Sequence, residues 1–351
     1  MKQRAVVQYA LKERAVELRE IAVPKLLKGH VLVKVFQTAI CGTDVHQYLN
    51  EHTWPVNVPV VLGHEFSGVV MDVSKDVTSF APGDWVVSES SSHICGQCSY
   101  CRGGLYHLCP RRERLGSLRD GAMTEIIRVP ERCLHRIPEK ESLDNYTLTE
   151  SCAVAYHTVA VHGQIRPGMS VAVLGCGFVG LICVQLAKIR GANPIILTGL
   201  ADAKTRLDVG RRMGATHTIK VDKENLRSLI PSIGDGLGID VVIDVSGRNR
   251  SLKDAIDIVR PAGQILRVGW GPGPYNFSLD PLVHKGVHLQ GVFSHNWEMW
   301  EAVIKMMREG ALDLSPIQAV HMPLERWQEG FEGMNANRYL KVVLDVNEST
   351  K

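Results

Sequence analysis

Two short motifs between residues 41 and 65 hold a thiol, two imidazoles, a hydroxyl and two carboxylates: Cys41, Thr43, Asp44 and His46 in one hexapeptide, then His64 and Glu65 in Gly63-His64-Glu65. Cysteine sulfur, histidine nitrogen and carboxylate oxygen are the ligands of zinc, and a catalytic zinc uses three protein ligands and keeps a fourth position for water or substrate. Cys41 and His64 supply the first two. Glu65 is either the third or a partner of the metal's water, and the residues alone leave both open. Asp44 either orients a ligand from behind or caps a turn.

A second set lies at Cys95-x2-Cys98-x2-Cys101-x7-Cys109, four thiols within fifteen residues of a polar, Gly-containing loop. Four cysteines saturate zinc and leave no room for substrate, the signature of a structural site. An iron–sulfur cluster also takes four cysteines, but the x7 interval before the last departs from ferredoxin spacing, which favours zinc. His107, inside the loop, is expected to be a bystander.

A third set is Gly175-Cys-Gly177-Phe178-Val179-Gly180. It lies between an apolar run, Ser170 to Leu174, and a helical run to Arg190, the strand–turn–helix context that a dinucleotide-binding turn requires. The first glycine permits the tight turn, the second admits a pyrophosphate, and the third lets helix pack on strand. The next strand, Pro194 to Thr198, ends at Gly199, where an NAD-specific fold usually places an acid on the ribose hydroxyl. Asp202 could replace it, whereas Lys204 and Arg206 could meet a 2′-phosphate. The balance leans to NADP(H) over NAD(H).

The elements that must position these groups change character along the chain. The first third alternates short apolar runs such as Val31 to Phe36 with Pro24 and Gly29, the pattern of antiparallel strands. Leu148 to Ala160 reads as an apolar helix begun by Glu150 and Cys152, and the helix dipole alone accounts for a carboxylate there. After Pro167-Gly168, strands alternate with helices, at Ile239 to Val245 and Gln264 to Val268 among others, which implies a parallel, doubly wound sheet. A strand at His288 to Phe293, a helix from Asn296 to Arg308 and a strand at Leu340 to Leu344 follow, and return the chain to its first domain. The fold class is therefore α/β.

With 351 residues there is sequence for two domains, and a net charge of +3 without a long basic run argues against nucleic acid. The N-terminus lacks a signal peptide, and the uncharged stretch from Met169 to Ala187 carries glycines where a strand turns into a helix, so no membrane span is expected. Nine cysteines without a secretory signal argue against a disulfide scaffold and for the cytoplasm.

In this order, Gly63-His64-Glu65, the four-cysteine lobe and GxGxxG resemble the zinc-dependent medium-chain dehydrogenase/reductases, over essentially the whole chain. Cys41 to His46, Gly63 to Glu65 and Gly291-Val-Phe293 are similar to the sorbitol and threonine dehydrogenase branch. There a glutamate stands where alcohol dehydrogenases carry a second zinc-binding cysteine. Alignment on Tyr156-His157 puts Glu150, not Cys152, at that place. The resemblance thus assigns Cys41, His64 and Glu150 to a catalytic zinc, with Glu65 bound directly or through water, and Cys95, Cys98, Cys101 and Cys109 to a structural one.

It also implies a β-rich, GroES-like catalytic domain from 1–154 and 290–351, with the zinc lobe at 93–110, and a Rossmann domain at 155–289. A dimer or tetramer is implied, with Lys341 near the cofactor phosphates. The implied reaction interconverts a secondary alcohol, polyol or sugar-derived, and its ketone by hydride transfer to NAD(P). Thr43 takes the alcohol proton and passes it through the ribose to His46, while Asp44 orients a ligand. Gln47 and Ser294 stand where the polyol enzymes have an aromatic and a basic residue, which points away from sorbitol itself. The alternatives are an L-threonine or sugar-acid dehydrogenase, or an inactive nucleotide-binding relative, against which intact Cys41, Thr43, His46, His64 and Glu150 argue.

Overall fold

The computed structural model describes residues 1–138, 143–271 and 273–347, the side chain of Asp144 apart. The chain forms two compact units, the first from Met1–Ser151, His295–Ala311 and Gln318–Lys351, the second from Cys152–Ser294 and Leu312–Ile317. The sequence reading drew its boundaries at 154 and 290 and did not foresee Leu312–Ile317 in the second unit.

The hub of the first unit is the eleven-residue strand His30–Ile40, alternately Val- and Leu-rich, which pairs antiparallel with Glu65–Val73, Ile126–Pro130 and Val342–Asp345. These belong to a seven-stranded sheet completed by Trp85–Ser88, Leu134–Arg136 and Val320–Pro323. A smaller sheet joins Val16–Ala22, Lys2–Gln8 and Val60–Val61. Inward side chains such as Val33, Val35, Phe66, Val70, Val86 and Leu344 build one core, because successive residues of a strand point to opposite faces. Into that core the helix Trp327–Asn335 inserts Phe331, whose ring meets Tyr48 edge-on at 5.3 Å. Tyr48 is the last residue of the helix Gly42–Tyr48, and its hydroxyl donates to Glu332 Oε1 at 2.8 Å. This packing fixes the short helix that carries Thr43 and His46.

The second unit holds a six-stranded, wholly parallel sheet in the order His217–Lys220, Ile195–Gly199, Val171–Leu174, Ile239–Asp244, Val259–Arg267, His288–Gly291. Val171–Leu174 is buried along its whole length, as a strand covered on both faces must be. It is the first strand in sequence yet lies third in the sheet, so the order reverses beside it. Ligands of open α/β sheets bind at the carboxyl ends of strands where such a reversal occurs. The uncharged stretch expected to be non-spanning is divided between this strand and the twelve-residue helix Phe178–Ile189, and no helix among the described residues is long and apolar enough to cross a membrane.

Phe331 is fully buried, so Phe331→Ala should leave a cavity and cost about 3–5 kcal/mol. Differential scanning calorimetry should show the first unit's transition lowered while that of the second is unmoved; coincident shifts would mean that the two do not melt separately.

Candidate metal and dinucleotide sites

Strand register assembles the first cluster. Cys41 follows the last residue of His30–Ile40, and Glu65 begins the strand paired with it through Ala39↔Glu65. Val342 pairs with Ile40, so Lys341 arrives at the same sheet end. Gly63 takes φ of +89°, a conformation that favours glycine, and a Cβ there would lie 2.7 Å from the Met123 side chain. The turn into His64 therefore admits no side chain at 63.

Ligand atoms of Cys41, His64 and Glu65 lie within 4.8 Å of one another. Asp44, fully buried in the helix begun by Cys41, ties two of them together: Oδ2 accepts from the Cys41 backbone N–H at 2.9 Å, and Oδ1 meets His64 Nδ1 at 3.2 Å. A carboxylate on one ring nitrogen of a histidine fixes the tautomer and leaves the other for a metal. Burial works against charge on either group, yet the Asp44 charge and hydrogen bond, with Cys41, raise His64 well above its ordinary value, and His64 with the Cys41 N–H holds Asp44 low.

Glu65 is fully buried, with Oε2 and Oε1 at 2.7 and 2.9 Å from Lys341 Nζ and with Ser151 Oγ donating to Oε1 at 2.9 Å. Burial opposes the charge of both members of this pair, and each charge favours the other. Lys341, buried to all but 1 %, has its ammonium on the Glu65 carboxylate, where register delivers it. Glu150 is not in the ligand cluster; its Oε1 meets His295 Nε2 at 3.0 Å.

His295 was not anticipated. It is fully buried, and its Nδ1 accepts the Trp300 indole N–H at 2.8 Å. An indole can only donate, so the neutral ring carries its proton on Nε2, toward Glu150. Burial works against ionising Glu150, but this hydrogen bond and nearby cations bring it down to about 2. The only trace in the sequence was a histidine just ahead of the apolar-faced helix Trp297–Arg308.

Thr43 and His46 lie three positions apart on the Gly42–Tyr48 helix, hence on one face, with His46 exposed. Arg114 Nη1 lies 3.5 Å from Thr43 Oγ1. Gln47, read as part of the substrate surroundings, is fully buried instead, donating to Gln8 Oε1 at 2.8 Å and the Gly116 carbonyl at 2.9 Å. Ser294 presents its carbonyl to His157 Nδ1 at 2.7 Å in the second unit.

Sulfur atoms of Cys95, Cys98, Cys101 and Cys109 also lie within 4.8 Å of one another. Backbone N–H groups of Cys95, Cys98, Cys101 and Arg111 donate to the sulfurs of Cys95, Cys98 and Cys109 at 3.3–3.4 Å; amides, that of Gln97 foremost, bring Cys95 down to about 6, whereas burial pushes Cys101 up to about 12. His107 faces away, its Nδ1 on Asn296 Oδ1, as a bystander would. The lobe also holds the Trp297–Arg308 helix: Asn296 Nδ2 donates to the Gly104 carbonyl at 2.7 Å, and the Trp297 N–H donates to Tyr106 Oη at 2.5 Å.

In the second unit the three glycines of the turn differ as their roles require. Gly175 has φ of +117°, a Cβ on Gly177 would meet nothing within 4 Å, and one on Gly180 would lie 2.0 Å from the Gly175 carbonyl oxygen. The middle glycine thus leaves open the space a pyrophosphate needs, at the N-terminus of the helix begun by Phe178 and Val179. A Cβ on Gly199 would lie 2.6 Å from Cys176 Sγ, so packing excludes an acid there. Asp202 and Lys204 are exposed, and Arg206 is partly buried. Burial lowers Arg206, with Cys176 and Asp202 opposing.

Residues 27–139 match the family model of the alcohol dehydrogenase GroES-like domain, and 179–309 match that of zinc-binding dehydrogenases. The chain is 34 % identical over 331 residues to an L-threonine 3-dehydrogenase of Anaeromyxobacter dehalogenans, covering 93 % of this chain and 94 % of that one. It is 32 % identical over 318 residues to a sorbitol dehydrogenase of Halalkalibacterium halodurans, covering 90 % and 92 %. Among solved structures it is similar to alcohol dehydrogenase TADH from Thermus sp. ATN1, with a TM-score of 0.88 and 32 % identity over 98 % of this chain and 100 % of that one.

Asp44, lowered from 3.8, contributes stability to the metal-free protein that is present above that value and is lost as the pH falls through the folded pKa. His64, raised above 6.5, contributes stability that is complete below 6.5 and is lost as the pH rises through its folded pKa. Thermal melts of chelator-treated protein should therefore weaken as the pH climbs above 6.5, and Asp44→Asn should flatten that slope. The same variant should bind zinc about 10–100-fold more weakly in chelator competition; unchanged affinity would remove the orienting role.

Proposed function

The chain belongs to the zinc-dependent medium-chain dehydrogenase/reductases, the alcohol dehydrogenase superfamily, and from that membership we propose a site, cofactor and substrate class for its oxidation of secondary alcohols. The observation that carries the site is the grouping of Cys41, His64 and Glu65 around the shared Asp44 carboxylate. A thiol, an imidazole and a carboxylate suit a catalytic zinc with one open position. We assign Cys41, His64, Glu65 and Glu150 to it, with Glu65 bound directly or through water. The four cysteines suit a second, structural zinc, and amide N–H groups already meet the sulfurs of Cys95, Cys98 and Cys109. The open space at Gly177 suits the cofactor diphosphate, bound by Gly175 to Gly180.

Zinc there supplies a Lewis acid that lowers a bound hydroxyl's pKa, as it lowers that of water from ~16 toward ~7, and the nicotinamide supplies the hydride acceptor. Thr43 Oγ1 accepts the alcohol proton, and His46, on the same helix face and exposed, returns it to solvent; an imidazole titrates in the range such a relay needs. Asp44 keeps His64 turned toward the metal, and His295 holds Glu150 ionised. Substrates are polyols or sugar-derived alcohols, with L-threonine and sugar acids the rivals. Likeness to sorbitol and threonine enzymes supports both. The exclusion of an acid at Gly199, with Lys204 and Arg206 nearby, supports NADP(H). Nine thiols, all free of disulfides, support a cytoplasmic site of action, and the family resemblance supports a homodimer or homotetramer.

Zinc-loaded protein should reduce a nicotinamide in a panel of polyols, other secondary alcohols, sugar acids and L-threonine, and chelation should stop it. Cys41→Ser and His64→Ala should bring turnover below detection with the circular dichroism of the fold retained. Full activity in either, or no turnover on any class, would overturn the site or leave a nucleotide-binding relative. Joint substitution of Lys204→Ala and Arg206→Ala should raise KM for NADP⁺ about 10–100-fold and KM for NAD⁺ far less; equal effects would remove the preference.

A further inference from the structure

Each carboxylate around the Cys41, His64 and Glu65 cluster has a contact partner. Asp44 has His64 at 3.2 Å, Glu65 has Lys341 at 2.7 Å, and Glu150 has His295 at 3.0 Å. Arg114 is left over: among the described residues no carboxylate lies within ion-pair distance of its guanidinium. Its contacts are neutral and long, Nε donating to Ser117 Oγ at 3.3 Å and Nη1 to Thr43 Oγ1 at 3.5 Å, while Nη2 is buried without any hydrogen-bond partner. The Trp54 ring supports the guanidinium, with Cζ 5.5 Å from the ring centroid. Asp44 and Glu150 feel this charge only through space. Arg112, buried close by, adds a second cation and is brought down to about 10 by burial first and Arg114 second.

A guanidinium does not lose its proton, and a buried donor without an acceptor is costly. A fixed charge with open donors therefore stands beside the hydroxyl assigned to receive the substrate's proton. We propose that Arg114 is a specificity-determining residue that receives an anionic group, carboxylate or phosphate, carried by the alcohol substrate near the carbon being oxidised. The inference rests on the assignment of Thr43 to the reacting hydroxyl. Nη1 and Nη2 form one edge of the planar fork that matches two oxygens of a carboxylate or phosphate. The closeness of Thr43 limits how far that anion lies from the reacting carbon, which selects 2- and 3-hydroxy acids or hydroxyalkyl phosphates over long chains charged only at the far end. An uncharged polyol would leave the fork unmet.

Matched pairs test this: 2,3-butanediol against 3-hydroxybutanoate, and glycerol against glycerol 3-phosphate, on zinc-loaded wild type, Arg114→Lys and Arg114→Gln. Titration calorimetry in the presence of oxidised nicotinamide should give the anionic member of at least one pair the lower Kd, and the pair in which it does so distinguishes carboxylate from phosphate. In Arg114→Gln the anionic-to-neutral ratio of kcat/KM, or of affinity, should fall about 10–100-fold, chiefly through KM, with partial recovery in Arg114→Lys. The ratio cancels any general effect of Arg114 on Asp44 and Glu150. Anionic members that bind no better than neutral ones in the wild type, or an unmoved ratio in Arg114→Gln, would overturn the inference, the latter leaving Arg114 as a support for its loop. Arg114-dependent binding without turnover would keep this inference and sink the reaction proposed above, whereas turnover of neutral alcohols with an unmoved ratio would do the reverse.

Discussion

One buried carboxylate constrains the proposed metal site. Asp44 has no access to solvent, and an unpaired charge in that position would be expensive. Its two oxygens are met by the Cys41 backbone N–H and by His64 Nδ1, so the arrangement that satisfies Asp44 is the one that aims the two ligands at each other. The Gly42–Tyr48 helix cannot rotate without breaking one of these bonds, and Phe331 and Glu332 hold its far end through Tyr48. Ligand geometry and helix position are thus one constraint.

Around that point, strand ends do the remaining work. Ile40, Glu65 and Val342 meet in one sheet, and the residues at their ends, Cys41, His64 and Lys341, converge because the pairing allows no other placement. A shift of one residue in any of these pairings would turn the ligands to the opposite face. Buried carboxylates are then matched by contact, Glu65 with the Lys341 ammonium and Glu150 with the His295 ring N–H. The cysteine lobe contributes from a distance, since Tyr106 and Gly104 hold the start of the helix that supplies Trp300, and Trp300 sets the tautomer of His295.

What could be read along the chain was what depends on neighbours in sequence. The glycine turn, the four cysteines and the switch from alternating runs to strands and helices are local patterns, and the sheets follow them. Cys41, Asp44, His64 and Glu65 were legible for the same reason. Lys341, Glu150 and His295 were not, because their partners are set by pairings between strands and helices more than a hundred residues apart. Gln47 lies beside reactive residues in sequence, yet a helix of seven residues turns it into the core, against Gln8. Helical direction, not nearness in sequence, decides what a side chain meets.

The Lys341 and Glu65 pair also carries a timetable. Translation delivers Cys41, His64 and Glu65 early and the whole of Val171–Leu174 through His288–Gly291 before Lys341 leaves the ribosome. Domains fold as they emerge, so the parallel sheet is free to form while the Glu65 carboxylate still lacks its ammonium and His30–Ile40 lacks its Val342–Asp345 neighbour. Completion of the cluster therefore waits on a strand made after the whole of the parallel sheet, because only that strand brings Lys341 to the buried Glu65 carboxylate.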